Sequence, residues 1–510
     1  MTALLVILVI ALAVAGAPLF LVLAAGALIG SMATAQPDVD ILASVMTNMY
    51  RLSQESVIVA LPLFTFAGYL LAESKAPMRM VRLSRALIGW MPGGLALVSL
   101  VTCSIFTAFS GASGVTVIAL GGLLLPVLLE EGYKERFSLG LLTTSGVMGL
   151  LLPPSLALIL FGIVAGNNLR GAATAEETPN EDYYTILYLD PGAPIDKIEK
   201  AYKELKTEYQ EYIDDGEEDA EEDLAEVEEA YAALKKLGAK EKSSGLSEDE
   251  LKQLSIDNLF KAGLLPSLFM LILLSSFSVF RGQTRDVERP GFSKVECWKA
   301  FRAAIWEAPL PVIILGGIYG GLFTVLDAAA VTAFYVLIVE VFIYRDIHLR
   351  RDLPRVTVDS LVLIGSILLI LMCAMGFTGY LIDQEVPAKV IAWIQKFVDS
   401  RIGFLLMLNV CLLVVGFLMD IFSATVVVVP LILPLAIKFG VHPVHLGIVF
   451  LTNLQIGFLT PPVGLELFLA SSRFEKPVLE IFRATLPFLV LLIVALLVIT
   501  YVPWLSLALI

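Results

Sequence analysis

The chain has 510 residues, 57% hydrophobic and 16% charged, with a mean hydropathy of +0.83 and a formal net charge of −14. Soluble chains of this size carry about 25% charged residues, so an array of soluble domains is excluded. The absence of a basic stripe excludes a nucleic-acid binder, and four isolated cysteines (Cys103, Cys297, Cys373, Cys411) exclude a disulfide scaffold.

The charge is local. Residues 170–257 hold 26 of the 49 acidic residues but only 10 of the 35 basic ones, so the rest of the chain is nearly neutral. That pattern is a multi-pass protein of the lipid bilayer carrying one acidic soluble insert. The first membrane part covers residues 1–167, the insert 168–257, and the remaining membrane part 258–510.

Apolar runs of membrane-spanning length lie near 3–32, 56–72, 93–130, 137–167, 259–280, 306–344, 358–382, 402–440, 443–472 and 485–510. The opening run has no basic stretch before it and no cleavable signal pattern. It breaks at Gly16-Ala17-Pro18. The runs 93–130 and 402–440 are too short for two full crossings and a loop. As single helices they would be about 57 Å long, against an apolar slab of ~30 Å. Each has a polar, small-residue break near its middle: Ser-Gly-Ala-Ser-Gly at 110–114 and Asp-Ile-Phe-Ser-Ala-Thr at 420–425. Both are predicted to be re-entrant hairpins, whose irregular backbone must be buried in protein or line a wet cavity.

Basic residues set the orientation. Lys75, Arg79, Arg82 and Arg85 form one cluster. A second holds Arg281, Arg285, Arg289, Lys294, Lys299 and Arg302, and a third Arg345, Arg350, Arg351 and Arg355. With all three cytoplasmic, the insert falls outside and the two hairpins open from opposite sides.

An internal repeat points to the same inversion. Pro126, Gly132, Thr144, Gly149, Pro153 and Pro154 recur 308 residues later as Pro434, Gly440, Thr452, Gly457, Pro461 and Pro462, without a gap. Inverted repeats with broken helices at the bilayer midplane mark secondary transporters.

The breaks carry chemistry. A Pro-Pro removes two N–H donors and frees upstream carbonyls, which suit a small cation at 149–155 and 457–464. Each hairpin tip also starts a half-helix whose N–H groups favour an anion. Hydroxyls are supplied by Ser110, Ser113 and Thr116 at the first tip and by Ser423 and Thr425 at the second. A carboxylate substrate between the tips, with a cation beside each, is the economical reading. The hairpins and their partner helices contain no intramembrane Lys or Arg to act as counter-charge.

Asp420 is the most telling acidic residue, since an intramembrane carboxylate is costly. It either coordinates a cation, carries a proton or caps the second half-helix. Asp327 has the same ambiguity. Asn453 and Gln455 read either as substrate contacts or as glue between helices. Glu466, after the second Pro-Pro, reads as facing a neighbouring helix. His348, His442 and His445 read as interfacial. Residues 78–85 are amphipathic and suit a surface helix linking a fixed to a moving part. No nucleophile–base pair or metal-ligand cluster marks an enzyme.

The order and spacing of these motifs resemble the large membrane subunit of tripartite ATP-independent periplasmic (TRAP) transporters. The matching stretches are 61–68 (Leu-Pro-Leu-Phe-Thr-Phe-Ala-Gly), 110–114 with Pro126 and Gly132-Tyr133, 152–155 (Leu-Pro-Pro-Ser) and 259–263 (Leu-Phe-Lys-Ala-Gly). They continue with 316–321 (Gly-Gly-Ile-Tyr-Gly-Gly), Met419-Asp420 and 460–464 (Thr-Pro-Pro-Val-Gly). The resemblance implies an all-α polytopic membrane protein of the elevator-type ion transporter fold, with inverted repeats and two re-entrant helical hairpins. It implies a sodium-driven importer of an organic acid in the bacterial inner membrane, with sodium and no organic cofactor. A periplasmic substrate-binding protein and a separate small four-helix membrane subunit are the implied partners. Sodium binding carries over to Ser110, Gly111, Ser113, Pro154 and Ser155 in one half, and to Asp420, Thr460, Pro461 and Gly464 in the other. Substrate contacts are expected from Ser113, Thr116, Ser423, Thr425 and Asn453. Two departures stand out: Ser-Gly-Ala-Ser-Gly at the first tip, and Val325-Leu326-Asp327 in place of Pro-Thr-Glu. The rival reading is a stand-alone sodium/carboxylate symporter of similar build, needing no binding protein.

The insert resembles a DnaJ-type J domain at Asp182-Tyr183-Tyr184, 200–205 and 229–234. It lacks the His-Pro-Asp that activates Hsp70 partners, with Tyr212-Ile213-Asp214-Asp215-Gly216 in that region. It reads as a solvated, periplasmic acidic appendage or as a docking surface whose acidity would steer a basic partner.

Overall fold

A computed structural model describes residues 17–32, 56–111, 113–174, 254–282, 291–384, 400–461 and 464–510, with scattered residues between 46 and 50, 186 and 231, and 389 and 398. Gly16, Ala112, Pro462, Val463, Arg285, Arg289 and the insert stretches 182–184 and 212–216 lie outside the described residues. Residues 1–166 with 253–510 form one compact unit, and residues 167–252 a second.

The first unit is built of helices: α1 (Leu19–Met32), α2 (Ala60–Glu73), α3 (Ala76–Ile88), α4 (Gly94–Ser110), α5 (Ser113–Glu130), α6 (Glu135–Val147) and α7 (Leu156–Thr174). They continue as α8 (Ile256–Gly282), α9 (Lys294–Ala303), α10 (Leu310–Tyr319), α11 (Val325–Ile343) and α12 (Asp352–Asp383). Then come α13 (Arg401–Leu418), α14 (Ile421–Lys438), α15 (Pro443–Gly457), α16 (Leu465–Phe474) and α17 (Val478–Tyr501), followed by a single helical turn at Trp504–Leu507. Among the described residues, seven helices are long and apolar enough to cross a membrane, or eight if α6 and α7, bent by 42°, count as one span.

The run 306–344 is two helices, because Gly320 ends α10 and a Thr324 capping box starts α11. Each anomalous run breaks at its polar stretch, into α4 and α5 in the first half and α13 and α14 in the second.

The repeat extends to the hydrogen bonds. At the end of α5, Gly132 N–H donates to the Leu129 carbonyl at 3.0 Å and Tyr133 N–H to Leu128 at 3.0 Å. At the end of α14, 308 residues later, Gly440 donates to Ile437 at 2.9 Å and Val441 to Ala436 at 2.8 Å. Both are Schellman stops. The left-handed turn they require is met by glycine, at φ +85° in Gly132 and +69° in Gly440. The breaks match too: Leu152 N–H donates to Gly149 and Thr460 N–H to Gly457.

The broken helices form the centre. All of α15 is buried, as is α6 from Ser138 onward. A side chain at Gly149 would overlap the backbone of α4 at Ser104 and Ala108, and one at Gly457 would overlap α13 at Gly416. Each broken helix therefore touches the first arm of its own hairpin backbone to backbone. His445 belongs to this core: its ring lies 3.1 Å from Ser506 Oγ and 3.2 Å from the Thr500 carbonyl oxygen.

Arg79 departs from a simple surface charge. Its guanidinium donates to Glu307 Oε1 at 2.6 Å, Glu340 Oε2 at 3.0 Å and Asp346 Oδ2 at 2.5 Å, and stacks 3.9 Å from the Tyr344 ring. Burial alone would lower the guanidinium, but its bonds to Glu307 and Asp346 and the nearby carboxylates hold it above its ordinary value. The opposite end of α3 meets the first hairpin, where Thr102 donates to Ser84 at 3.0 Å. The amphipathic helix thus joins the end of α11 to α4.

In the second unit, Leu187, Leu205, Val227 and Ala230 are buried together, with Tyr202 stacked on Tyr231 at 3.8 Å. Lys206 pairs with Glu228 at 2.6 Å on its surface.

Replacing Arg79 with Met leaves three adjacent carboxylates without their cation. The expected loss is about 3–5 kcal/mol. Thermal unfolding of both proteins side by side checks the size.

Candidate functional site

The first tip lies between Ser110 and Ser113. The chain turns at Gly111, φ +67°, whose N–H donates to the Thr107 carbonyl at 2.8 Å. A side chain on Gly111 would overlap Leu156, the first residue of α7, so the tip lies directly on the far side of the Pro-Pro break. Ser110, Ser113 and Thr116 are all buried. Thr116 Oγ1 is 2.6 Å from Thr107 Oγ1, which donates to the Gly146 carbonyl at 2.8 Å. Thr107 and Gly146, which carried no sequence signal, therefore join both hairpin arms to α6.

The first Pro-Pro, with a cis bond at Pro153-Pro154, is followed by Ser155. Its hydroxyl donates to the Leu150 carbonyl and accepts from Leu158 N–H at 3.3 Å. It satisfies one carbonyl freed by the break and caps α7. In the second half, Thr460 Oγ1 donates to the Ile456 carbonyl at 2.9 Å. A side chain on Gly464 (φ +42°) would lie 2.8 Å from the Thr460 carbonyl oxygen and 3.2 Å from that of Phe458. Two carbonyls thus converge beside Gly464, at the end of the break that begins at Thr460 and Pro461.

At the second tip the Asp420 carboxylate accepts from Phe422 N–H at 2.9 Å and Ser423 N–H at 3.0 Å, and from the Ser423 hydroxyl. Of its three sequence readings, this geometry is the cap. The side chain holds the first turn of α14 together while remaining exposed. Asp327 is also a cap, sharing a capping box with Thr324. Thr425 is buried, its hydroxyl donating to the Ile421 carbonyl at 2.6 Å.

Asn453 takes the interhelical reading. Its amide donates to Asn409 Oδ1 and the Val449 carbonyl, both at 2.8 Å, and Asn409 donates to Thr500 at 3.2 Å, tying α15 to α13 and α17. Gln455 is buried with neither amide atom hydrogen-bonded. No group of three His, Cys, Asp or Glu that could hold a metal occurs among the described residues.

The structure sets Gly111 against Leu156, two residues after the first Pro-Pro, and brings the Thr460 and Phe458 carbonyls together at Gly464. Glu466 faces a neighbouring helix, as its sequence reading has it, and that neighbour is the first hairpin's tip: α16 packs on the start of α5. Its charge after the second Pro-Pro was the available signal.

The family model described as "Tripartite ATP-independent periplasmic transporter, DctM component" matches residues 3–175 and 250–505. The chain is 28% identical over 505 residues to the C4-dicarboxylate TRAP transporter large permease protein DctM of Rhodobacter capsulatus, covering 95% of this chain and 97% of that one. It is 29% identical over 471 residues to the protein of that name from Pseudomonas aeruginosa, covering 92% and 90%. It is also 29% identical over 450 residues to the isethionate TRAP transporter permease protein DctMQ of Oleidesulfovibrio alaskensis, covering 88% and 57%. Among solved structures, the YdaH transporter of Alcanivorax borkumensis matches at a TM-score of 0.46 and 12% identity over 94% of this chain and 90% of that one, too slight a likeness to assign a fold.

The cap and the charge of Asp420 separate by substitution. Asp420→Ala should cost about 1 kcal/mol by loss of the cap, and Asp420→Asn, an equally good N-cap, should cost little. Unfolding of the two variants side by side reads the difference; equal losses would assign the stabilisation to charge.

Proposed function

The chain belongs to the DctM-component family of tripartite ATP-independent periplasmic transporters, and on that premise we propose that it is the large permease subunit of a sodium-driven importer of an organic acid. It is a transport protein and not an enzyme. In this reading a periplasmic binding protein delivers the substrate, and a small membrane subunit completes the assembly in the bacterial inner membrane. The acidic insert faces the periplasm.

The observation that carries the proposal is the pair of broken helices, each touching its own hairpin through a glycine and each stopped by the same hydrogen bonds 308 residues apart. Irregular backbone inside a membrane protein needs a reason, and cation and substrate sites built on discontinuous helices are that reason in carriers. Sodium is assigned to Ser110, Gly111, Ser113, Pro154 and Ser155 at the first break. At the second it is assigned to Thr460, Pro461 and Gly464, where two carbonyls converge, with Asp420 fixing the adjacent tip. The substrate anion meets the half-helix starts near Ser113 and Thr116 and near Ser423 and Thr425. Its class follows the C4-dicarboxylate named for two relatives. The hairpin units move across the membrane as an elevator, with α3 linking them to the end of α11.

Uptake of a labelled organic-acid panel into proteoliposomes should require an inward sodium gradient, the small subunit and the binding protein together. Uptake by this chain alone would favour the stand-alone symporter. Uptake indifferent to sodium would remove the cation sites from the mechanism.

A further inference from the structure

The two short helices α3 and α9 pack on each other beside the end of a membrane-crossing helix. Leu83, Ala300 and Ala304 are buried between them, with Ala86 against this core, and the Cys297 thiol donates to the Ala86 carbonyl at 2.9 Å. The chain leaving α3 lies on the last turn of α8: a Cβ placed on Gly93 would be 3.0 Å from Val279 Cα, near the end of the span Ile256–Arg281. That is the depth of the lipid headgroups in a bilayer. Trp90, Phe292 and Trp298 are exposed in this region, and tryptophan gathers at the headgroup level of membrane proteins.

A cavity of about 390 Å³ opens between the two helices. Its α3 wall carries Arg82 and Arg85, and its α9 wall Ser293 and Glu296. Arg85 is paired with Glu131, whereas Arg82 and Glu296 are exposed and form no ion pair among the described residues. Ser293 Oγ accepts from Glu296 N–H at 3.3 Å, which leaves its own O–H to donate. Trp90 also lines the cavity, its ring edge-on to Phe292 at 5.9 Å. A phosphate diester suits the planar donor fork of arginine. A headgroup with negative charge alone would meet Glu296 as a like charge. A phosphate followed by an ammonium pairs with both walls at once. Below this level Leu268, Ile272 and Phe280 are exposed along α8, an apolar surface for acyl chains.

We propose that the cavity between α3 and α9 binds a phospholipid with a phosphoethanolamine headgroup, its phosphate held by Arg82 with Arg85 and Ser293 and its ammonium by Glu296. Basic pockets at the ends of membrane helices recognise headgroups in this way; the acidic residue on the second wall selects the zwitterion. The bound lipid ties both helices to the membrane surface, and through α3 it steadies the link to the end of α11. The site requires only that the chain sits in a bilayer, so it stands whatever the chain transports.

The test offers the full chain, purified and stripped of lipid in detergent, an equimolar mixture of dioleoyl phosphatidylethanolamine and dioleoyl phosphatidylglycerol. Native mass spectrometry reads which lipid is retained. The wild type should retain phosphatidylethanolamine in preference. Arg82→Gln should lower that retention by about tenfold, the worth of one charge-assisted hydrogen bond. Glu296→Gln should still hold lipid but lose the preference. Lys299→Gln, exposed on α9 outside the cavity, should behave as the wild type. Thermal unfolding of each variant at the wild-type temperature shows that a loss is of ligand and not of fold. No preference in the wild type, or equal retention by Arg82→Gln, overturns the proposal. So does an equal loss in Lys299→Gln, which would reduce the effect to surface charge. Displacement of the lipid by an equal concentration of soluble phosphoethanolamine would assign the cavity to a small molecule and overturn the lipid.

Discussion

A helix that stops inside an apolar medium must find new partners for its orphaned N–H and C=O groups, since each one left bare costs several kcal/mol. The breaks described here meet that demand locally. Gly111 N–H returns to Thr107, Asp420 collects the N–H groups of Phe422 and Ser423, Ser155 takes up the Leu150 carbonyl, and Thr460 takes up that of Ile456. The interruptions are therefore defined turns, and their geometry fixes where backbone dipoles point. The Phe458 and Thr460 carbonyls that converge beside Gly464 are one result.

Much of this plan is visible in the amino-acid sequence because it is written in residues with few conformational meanings. Gly132 and Gly440 have to end helices, and Pro153-Pro154 and Pro461-Pro462 have to break them, so a matched spacing of glycines and prolines is a matched spacing of backbone events. The hairpins follow from run length against bilayer thickness. Polar side chains are less legible, because their partners come from distant elements. Asp420 and Asp327 look alike in sequence as acids among apolar residues, and both proved to be caps. His445 reads as a loop-end residue, yet it is buried between α15 and the C-terminal end of the chain. Nothing local distinguishes Arg79 from Arg82; only the fold brings Glu307, Glu340 and Asp346 around the former.

Two buried acidic settings show how differently one medium treats a charge. At Arg79, one guanidinium with a planar fork of donors reaches three carboxylates, and its own charge is reinforced by them. At Glu466 the surroundings are glycine backbone, a serine and hydrocarbon. The first arrangement ties α3 to the end of α11. The second makes no side-chain hydrogen bond.

The matched hydrogen bonds 308 residues apart bear on energy as well as shape. A carrier made of two identical inverted halves has inward-facing and outward-facing forms of equal free energy, because exchanging the roles of the halves converts one form into the other. Here the backbones correspond but the side chains do not: the residue 308 positions before Glu466 is Leu158, buried and aliphatic. Such inequalities lift the degeneracy, since the two halves place different groups at corresponding positions. The resting balance between the two faces of the membrane is then set by chemistry laid over a symmetric frame.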